Sequence, residues 1–289
     1  MERTLQHDRT AAEERFLAHL ANCGVIGRAV AKPLIGGRSN RVWQVGPVVV
    51  KLYANGLENP LFANDPDRER TVLTALRSSG MVPQLQNHGE FESRHWLAYT
   101  HRPGQTWTDG VCDVACLLDR LHRHPAKPDL PLGANGSDAL VQQTKAILAQ
   151  CPAPQHIAAL RPKGHVAPSA HLTLIHGDPV PGNIVSHGGA LTLIDWQCPQ
   201  LGDAAEDLAV FLSPAMQLIY RGEPLTNAEE AEFLASYSDQ TVVSRYRQLK
   251  PWYHWRMAAY CLWRSSHDRQ ENAAALDAEL MALEHCNRG

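Results

Sequence analysis

Two short apolar runs that each end on polar groups constrain this chain more than any other feature: Leu172–Ile175 leads into His176-Gly177-Asp178, and Leu191–Ile194 leads into Asp195-Trp196. Runs of this length and composition suit buried strands, so the polar groups stand where strands end. Between them, Pro179-Val180-Pro181-Gly182-Asn183 turns the chain. Asp178, an amide acceptor five residues later at Asn183, and a second acid twelve residues beyond that at Asp195 form a set with a definite chemistry. It can take a proton from a hydroxyl and hold magnesium through oxygen. Asp and Asn also populate ordinary turns, because their side chains bond to nearby backbone. Two features oppose that reading: His176 precedes the first acid, and the second run ends on an acid rather than on Gly or Asn.

Composition narrows the class. The 289 residues, 44% of them apolar, suffice for two lobes with their own cores. A formal charge of −3 and the lack of a basic tract argue against nucleic acid as a partner. Met1 to Arg15 is charged and lacks an apolar signal core, and no run approaches the roughly eighteen apolar residues of a membrane span. The expectation is a soluble, cytoplasmic protein with no membrane partner. Seven scattered cysteines predict reduced thiols, and Cys112 and Cys116, one helical turn apart, suit packing better than zinc. The fifteen histidines are dispersed, with no H-E-x-x-H or paired Cys-His spacing. Nothing in the pattern bears on oligomeric state.

The segments His-Gly-Asp, Pro-Gly-Asn and Ile-Asp-Trp together resemble, in order and spacing, the aminoglycoside phosphotransferase and choline kinase family of small-molecule kinases. The D-x-x-x-x-N spacing is also that of the protein-kinase catalytic loop. The resemblance runs from Gly36 to about Leu212 and is tightest between His176 and Ala209. It implies an α+β, two-lobed protein-kinase-like fold. The N-terminal nucleotide-binding lobe would occupy 1–101, with an antiparallel sheet of about five strands plus helices, and a mainly helical catalytic and substrate-binding lobe would occupy 102–289. By the same resemblance Asp178 is the catalytic base, Asn183 and Asp195 hold Mg2+, and ATP, or GTP, donates the phosphoryl group. No G-x-x-x-x-G-K-[ST] occurs in the chain. Two departures border the acceptor pocket: Pro179-Val180 stands where members have Leu and a polar residue, and Gln197-Cys198-Pro199 follows where choline-kinase-like members often have an acid and an aromatic.

In the first lobe, Ala11, Phe16, Leu17 and Leu20 at helical spacing predict an opening helix over Asp8–Asn22 that packs on the lobe. Gly36-Gly37-Arg38-Ser39-Asn40 lies between strand-like Ala29–Ile35 and Val42–Val45. Alone it is a hairpin turn; the resemblance makes Gly36, Gly37 and Asn40 a cradle for nucleotide phosphate. Lys51 interrupts the β-branched run Val48–Tyr53, and a buried lysine needs an anionic partner. A helix over about Asp67–Ser79 carries Glu69 early, where kinases place the acid that pairs with such a lysine, with Asp67 as competitor. Strands Gln84–Phe91 and Arg94–Thr100 complete the sheet, and Arg102-Pro103-Gly104-Gln105 marks the lobe boundary. The resemblance places the adenine near Ala98 to His101, with Ala98 and Thr100 as nucleotide-binding residues.

In the second lobe, helices are predicted over Val111–Arg123, where His122 is structural, and over Ser137–Gln150 with Ser137 as N-cap, followed by an irregular Pro-rich segment Cys151–Pro168. Gly202-Asp203-Ala204-Ala205-Glu206-Asp207-Leu208-Ala209 resembles the family's helix start. Asp203 would cap the helix and Asp207 brace the catalytic loop, with His176 as a further support. Three helices follow from Asn227. The long one is rich in aromatics (Tyr246, Trp252, Tyr253, Trp255, Tyr260, Trp263), which suits core packing or a box for a cationic alcohol. Trp196, Trp252 and Trp255 are the candidate substrate residues. The expected partner is a small-molecule alcohol of choline, ethanolamine or thiamine type. An aminoglycoside acceptor would instead draw on acids such as Glu229, Glu230, Glu232, Asp268 and Glu271, and an inactive binding module is opposed by the presence of every catalytic group.

Overall fold

The computed structural model describes residues 2–34, 40–56, 59–267 and 272–288. Gly36 and Gly37 lie outside the described residues.

Helix α1 (Glu2–Asn22) opens the chain and buries Phe16 and Leu20 against the sheet, with the Phe16 ring 5.6 Å from Trp43 and 5.4 Å from Phe91. The sheet is antiparallel. Strands β1 (Ala31–Pro33), β2 (Arg41–Val45) and β3 (Val48–Leu52) precede helix α2 (Pro66–Ala75), and β4 (Leu85–Phe91) and β5 (Arg94–Thr100) follow it. The spatial order β1-β2-β3-β5-β4 makes β3 central. All five residues of β3 are buried, and the period of two sorts them. Val48, Val50 and Leu52 join Trp43, Trp96 and Ala98 beneath α1, whereas Val49, Lys51 and Tyr53 face the rest of the chain. Helix α2 starts because the Asp65 side chain accepts from the backbone N–H groups of Asp67 and Arg68, with Pro66 in the first helical turn.

Beyond Thr100 the chain forms β6 (Gln105–Thr106) and helices α3 (Val111–His122), α4 (Ser137–Leu148) and α5 (Gln155–Ala159). Next come β7 (Thr173–Ile175), a 3-10 turn Pro181–Asn183, β8 (Ile184–His187), β9 (Ala190–Leu193) and β10 (Gln200–Gly202). Helices α6 (Ala205–Phe211), α7 (Pro214–Arg221), α8 (Asn227–Ser236), α9 (Gln240–His267) and α10 (Asn272–Arg288) complete it. β8 pairs with both β6 and β9, and β7 pairs with β10, all antiparallel. One apolar cluster runs from Val72 and Leu97 through Leu118 and Leu193 to Trp255, so the sheet and the helical part share a core.

Two local expectations change. Ser137 is the first residue of α4 rather than its cap, and its hydroxyl accepts from Val166 N–H at 3.0 Å, tying down the 151–168 segment. That segment is not wholly irregular, since it contains α5. Among the described residues, no group of three His, Cys, Asp or Glu could hold a metal, and no helix is long and apolar enough to cross a membrane.

Candidate active site

Strand β7 delivers His176-Gly177-Asp178 to the mouth of a cavity of about 450 Å3. The loop hangs from one carboxylate: Asp207, in the first turn of α6, accepts from the backbone N–H of both His176 and Gly177 at 2.8 Å. Its third donor is His122 Nε2 at 3.0 Å, and the Tyr237 hydroxyl meets His122 Nδ1 at 2.8 Å. Because a carboxylate only accepts, His122 carries its proton on Nε2. Gly177 has φ +81°, and a Cβ there would stand 2.3 Å from the Cys198 carbonyl oxygen, so only glycine fits this corner.

His176 itself is fully buried, 4.3 Å ring to ring from Trp196. Its Nε2 donates to the Ile194 carbonyl at 3.0 Å and its Nδ1 accepts Asp178 N–H at 3.2 Å. These two bonds need the neutral ring, and burial pushes the pKa below the usual histidine value. His176 therefore ties the ends of β7 and β9 together instead of moving protons.

The 3-10 turn swings Asn183 back to the acid. Its Nδ2 donates to the Asp178 carbonyl at 2.9 Å and to Asp178 Oδ2 at 3.1 Å, which leaves Oδ1 as the group free to meet a cation. Burial first, then the charge of Asp195, pushes the Asp178 carboxyl well above its ordinary range, with Asn183 and Arg264 opposing. Asp195 adopts φ +62°, a left-handed conformation that Asp tolerates better than most residues. The Asn183 carbonyl accepts Ile194 N–H at 2.9 Å just before it.

From the sheet, Lys51 is 2% exposed, and its Nζ bonds to both Asp195 and Glu69, the latter at 2.6 Å. The Tyr53 hydroxyl donates to the same Glu69 carboxylate. Burial disfavours the ammonium, but Asp195 and Glu69 outweigh it and hold Lys51 charged beyond the usual lysine range. Burial raises Glu69 while Lys51 opposes. Asp67, the competing acid, is turned outward to Arg70.

Asn40, Lys51, Thr100, Asp178, Asn183 and Asp195 line this one cavity, with Glu69 behind Lys51. Asn40 Nδ2 donates to Asn64 Oδ1 at 2.6 Å and to Gln197 Oε1 at 2.9 Å, and its Oδ1 accepts Ala54 N–H at 3.0 Å. Ala98 is not at the cavity: alternation along β5 turns its side chain beneath α1 and Tyr99 to the opposite face, and Tyr99 and the strand-end residue Thr100 line the opening. The three candidate substrate tryptophans are also elsewhere. Trp196 is fully buried with Nε1 donating to Leu193 O, Trp252 is 5% exposed in the main core, and Trp255 is 1% exposed with Nε1 donating to Ile157 O. Side chains the motifs did not single out complete the far wall: Asn59, Phe62, Met216, Tyr220 and Arg264. Arg264 lies one helical turn after Tyr260, a spacing visible in the sequence.

Asn183 and Asp195 offer two oxygen donors at the cavity wall, which fits magnesium, an ion that takes one or two protein oxygens and completes its shell with phosphate and water.

The model of the phosphotransferase enzyme family matches residues 30–252. The chain belongs to that family. No curated protein matches this phosphotransferase in sequence. Among solved structures it is similar to the choline kinase LicA of Streptococcus pneumoniae, with 16% identity and a TM-score of 0.66 over 96% of this chain and 100% of that one. A choline/ethanolamine kinase family protein from Mesorhizobium loti gives 15% identity and 0.63 over 90% and 88%. Spectinomycin phosphotransferase, in complex with ADP and spectinomycin, gives 14% and 0.57 over 91% and 93%. At such identities the likeness speaks for the fold. The phosphotransferase has the α+β, protein-kinase-like architecture that its sequence predicts.

Proposed function

We infer that this protein transfers the γ-phosphoryl group of ATP, or of GTP, to the hydroxyl of a small alcohol, with magnesium as cofactor and the cytoplasm as its compartment. The observation that carries the reading is the convergence on one cavity of Lys51, bonded to Glu69 and Asp195, with Asp178, bonded to Asn183. The nucleotide would lie against the 1–101 lobe and the alcohol against 102–289.

Phosphoryl transfer asks for alignment and charge stabilisation more than for covalent chemistry by the protein. Lys51 meets phosphate oxygens, and Glu69 holds the ammonium in place from behind. Asn183 Oδ1 and Asp195 hold the metal, which when bound neutralises phosphate charge. Asp178 orients the acceptor hydroxyl and takes its proton, a task suited to a carboxyl whose pKa lies above the ordinary range.

The acceptor must be read from the cavity walls. A quaternary-ammonium box on Trp252 and Trp255 has no support, because both indoles are core residues. The acids for a polycationic acceptor are elsewhere: Glu229 pairs with Arg221, Glu230 with Lys250, and Glu232 accepts from Cys112. Asp268 and Glu271 lie outside the described residues.

The test is acceptor-dependent ADP release with Mg-ATP over a panel of alcohols. Asp178→Asn should lower kcat by about 10^2 to 10^4 while the nucleotide Kd from calorimetry stays within a few-fold. A variant that keeps near-normal turnover would remove Asp178 from the base role.

A further inference from the structure

The turn that brings Asn183 to Asp178 is closed from within by its own backbone and supported from without by a ring. Val180 N–H donates to the Asp178 carbonyl and Asn183 N–H to the Val180 carbonyl, each at 2.9 Å. Outside it packs helix α7. Val180 is fully buried in one cluster with Ala215 and Met216, and Tyr220, four residues after Met216 and so on the same helix face, packs against that cluster. In the middle of the turn the approach is close enough to dictate the residue. A Cβ at Gly182 would stand 2.6 Å from Tyr220 Cδ1 and 3.0 Å from Cε1, so the ring lies on the Gly182 backbone. Gly182, unlike Gly177, does not have a positive φ, and glycine is needed there for room alone.

The ring cannot draw back, because α7 is pinned at both ends. At its start Ser213 accepts Met216 N–H at 3.2 Å and donates its hydroxyl to the buried Glu279, which also accepts Ala215 N–H at 3.2 Å. The fully buried Gln217 donates to the Phe211 carbonyl at 2.6 Å. At its end the neighbour of Tyr220 is Arg221, whose Nε donates to the Thr108 carbonyl at 3.1 Å and whose Nη2 donates to Glu229 at 2.6 Å. Close-packed interiors transmit a displacement rather than absorb it. A shift of the ring is therefore a shift of Gly182, and the next residue is Asn183.

We propose that Tyr220 is a positioning residue for the metal site: its ring, seated on Gly182, holds Asn183 where Oδ1 and Asp195 can share one ion. This rests on the kinase reading above, from which Asn183 takes its metal role. It is the ring and not the hydroxyl that makes the contact. Because Tyr220 also lines the cavity, one side chain borders the acceptor space and supports the metal turn.

Calorimetry of ADP binding, with magnesium titrated from none to saturation, tests this without an acceptor. Gly182→Ala should raise the magnesium needed for tight nucleotide binding about ten- to a hundredfold, as the loss of a group that orients a metal ligand does, while metal-free ADP keeps its Kd within about twofold. Tyr220→Ala, which leaves the turn unsupported but unobstructed, should raise the requirement less, about three- to tenfold. In the double variant the new methyl enters space that the ring has left, so it should need less magnesium than Gly182→Ala alone. An unchanged magnesium requirement in Gly182→Ala overturns the proposal, and so does an equal loss of ADP affinity with and without magnesium. A double variant that needs as much magnesium as Gly182→Ala, or more, removes the ring as the cause. If Gly182→Ala does not fold, Tyr220→Ala decides, and an unchanged requirement there overturns the proposal. A wild-type protein that binds no ADP at any magnesium concentration would instead overturn the kinase reading and this inference with it.

Discussion

The two ends of α9 carry the same kinds of side chain and do different work. Upstream, Tyr246, Trp252 and Trp255 are at most 5% exposed and pack into the main core, where α9 runs against α4, α6 and α10. Downstream, Tyr260, Cys261 and Arg264 fall at helical spacing on a stripe that reaches the cavity. The difference lies in what covers the helix, not in its composition. Where other helices surround it, an indole fills space and its N–H finds a backbone carbonyl. Where the neighbours are the 59–62 segment and α7, aromatic and basic groups form a wall.

That contrast can be broken by mutation. Trp255→Ala should give the largest effect, a loss of about 3–5 kcal/mol in stability from the cavity and the lost bond to Ile157, with the acceptor KM of the folded fraction unchanged. A raised KM at unchanged melting temperature would return Trp255 to the substrate site. Phe62→Leu at the cavity end should cost only about 1 kcal/mol because volume is largely kept, and should appear instead as a higher acceptor KM. Equal stability losses at the two positions would erase the distinction. The smallest effect concerns His176, which lies on Trp196 below the cavity floor. Its folded pKa is below the reference 6.5, so the unfolded state binds the proton more readily. Its contribution is therefore full above pH 6.5 and lost as pH falls from there towards the folded pKa. Denaturant titrations at stepped pH should show that decline, and His176→Gln should flatten it.

The sequence was legible wherever backbone chemistry and side-chain chemistry coincide. His176-Gly177-Asp178, Asn183 and Asp195 occupy corners whose hydrogen bonds require those residue types, and the β-branched run around Lys51 announced both a central strand and a buried charge needing partners. Face and coverage were harder to read. Ala98 sits in the right strand but one residue out of phase with the cavity, a parity that the sheet's neighbours decide. Trp252 and Trp255 looked the same as Tyr260 because periodicity shows which residues share a stripe but not what lies opposite it. Arg264 belongs to no motif, and its place emerged only when Asn59, two hundred and five residues earlier, was brought beside Tyr260.

The amide cluster of Asn40, Asn64 and Gln197 has a kinetic consequence. It joins the start of β2, the segment before α2 and the residues just after Asp195 through uncharged hydrogen bonds. Any motion that parts these three segments, as release of a spent nucleotide would require, must break these amide–amide bonds together with the charged Lys51–Asp195 pair. The amide–amide bonds are indifferent to ionic strength and to pH near neutrality. Salt would then slow the capture of a charged nucleotide and act on opening only through the part-buried Lys51–Asp195 pair, so that the two directions of exchange respond differently to the same ions.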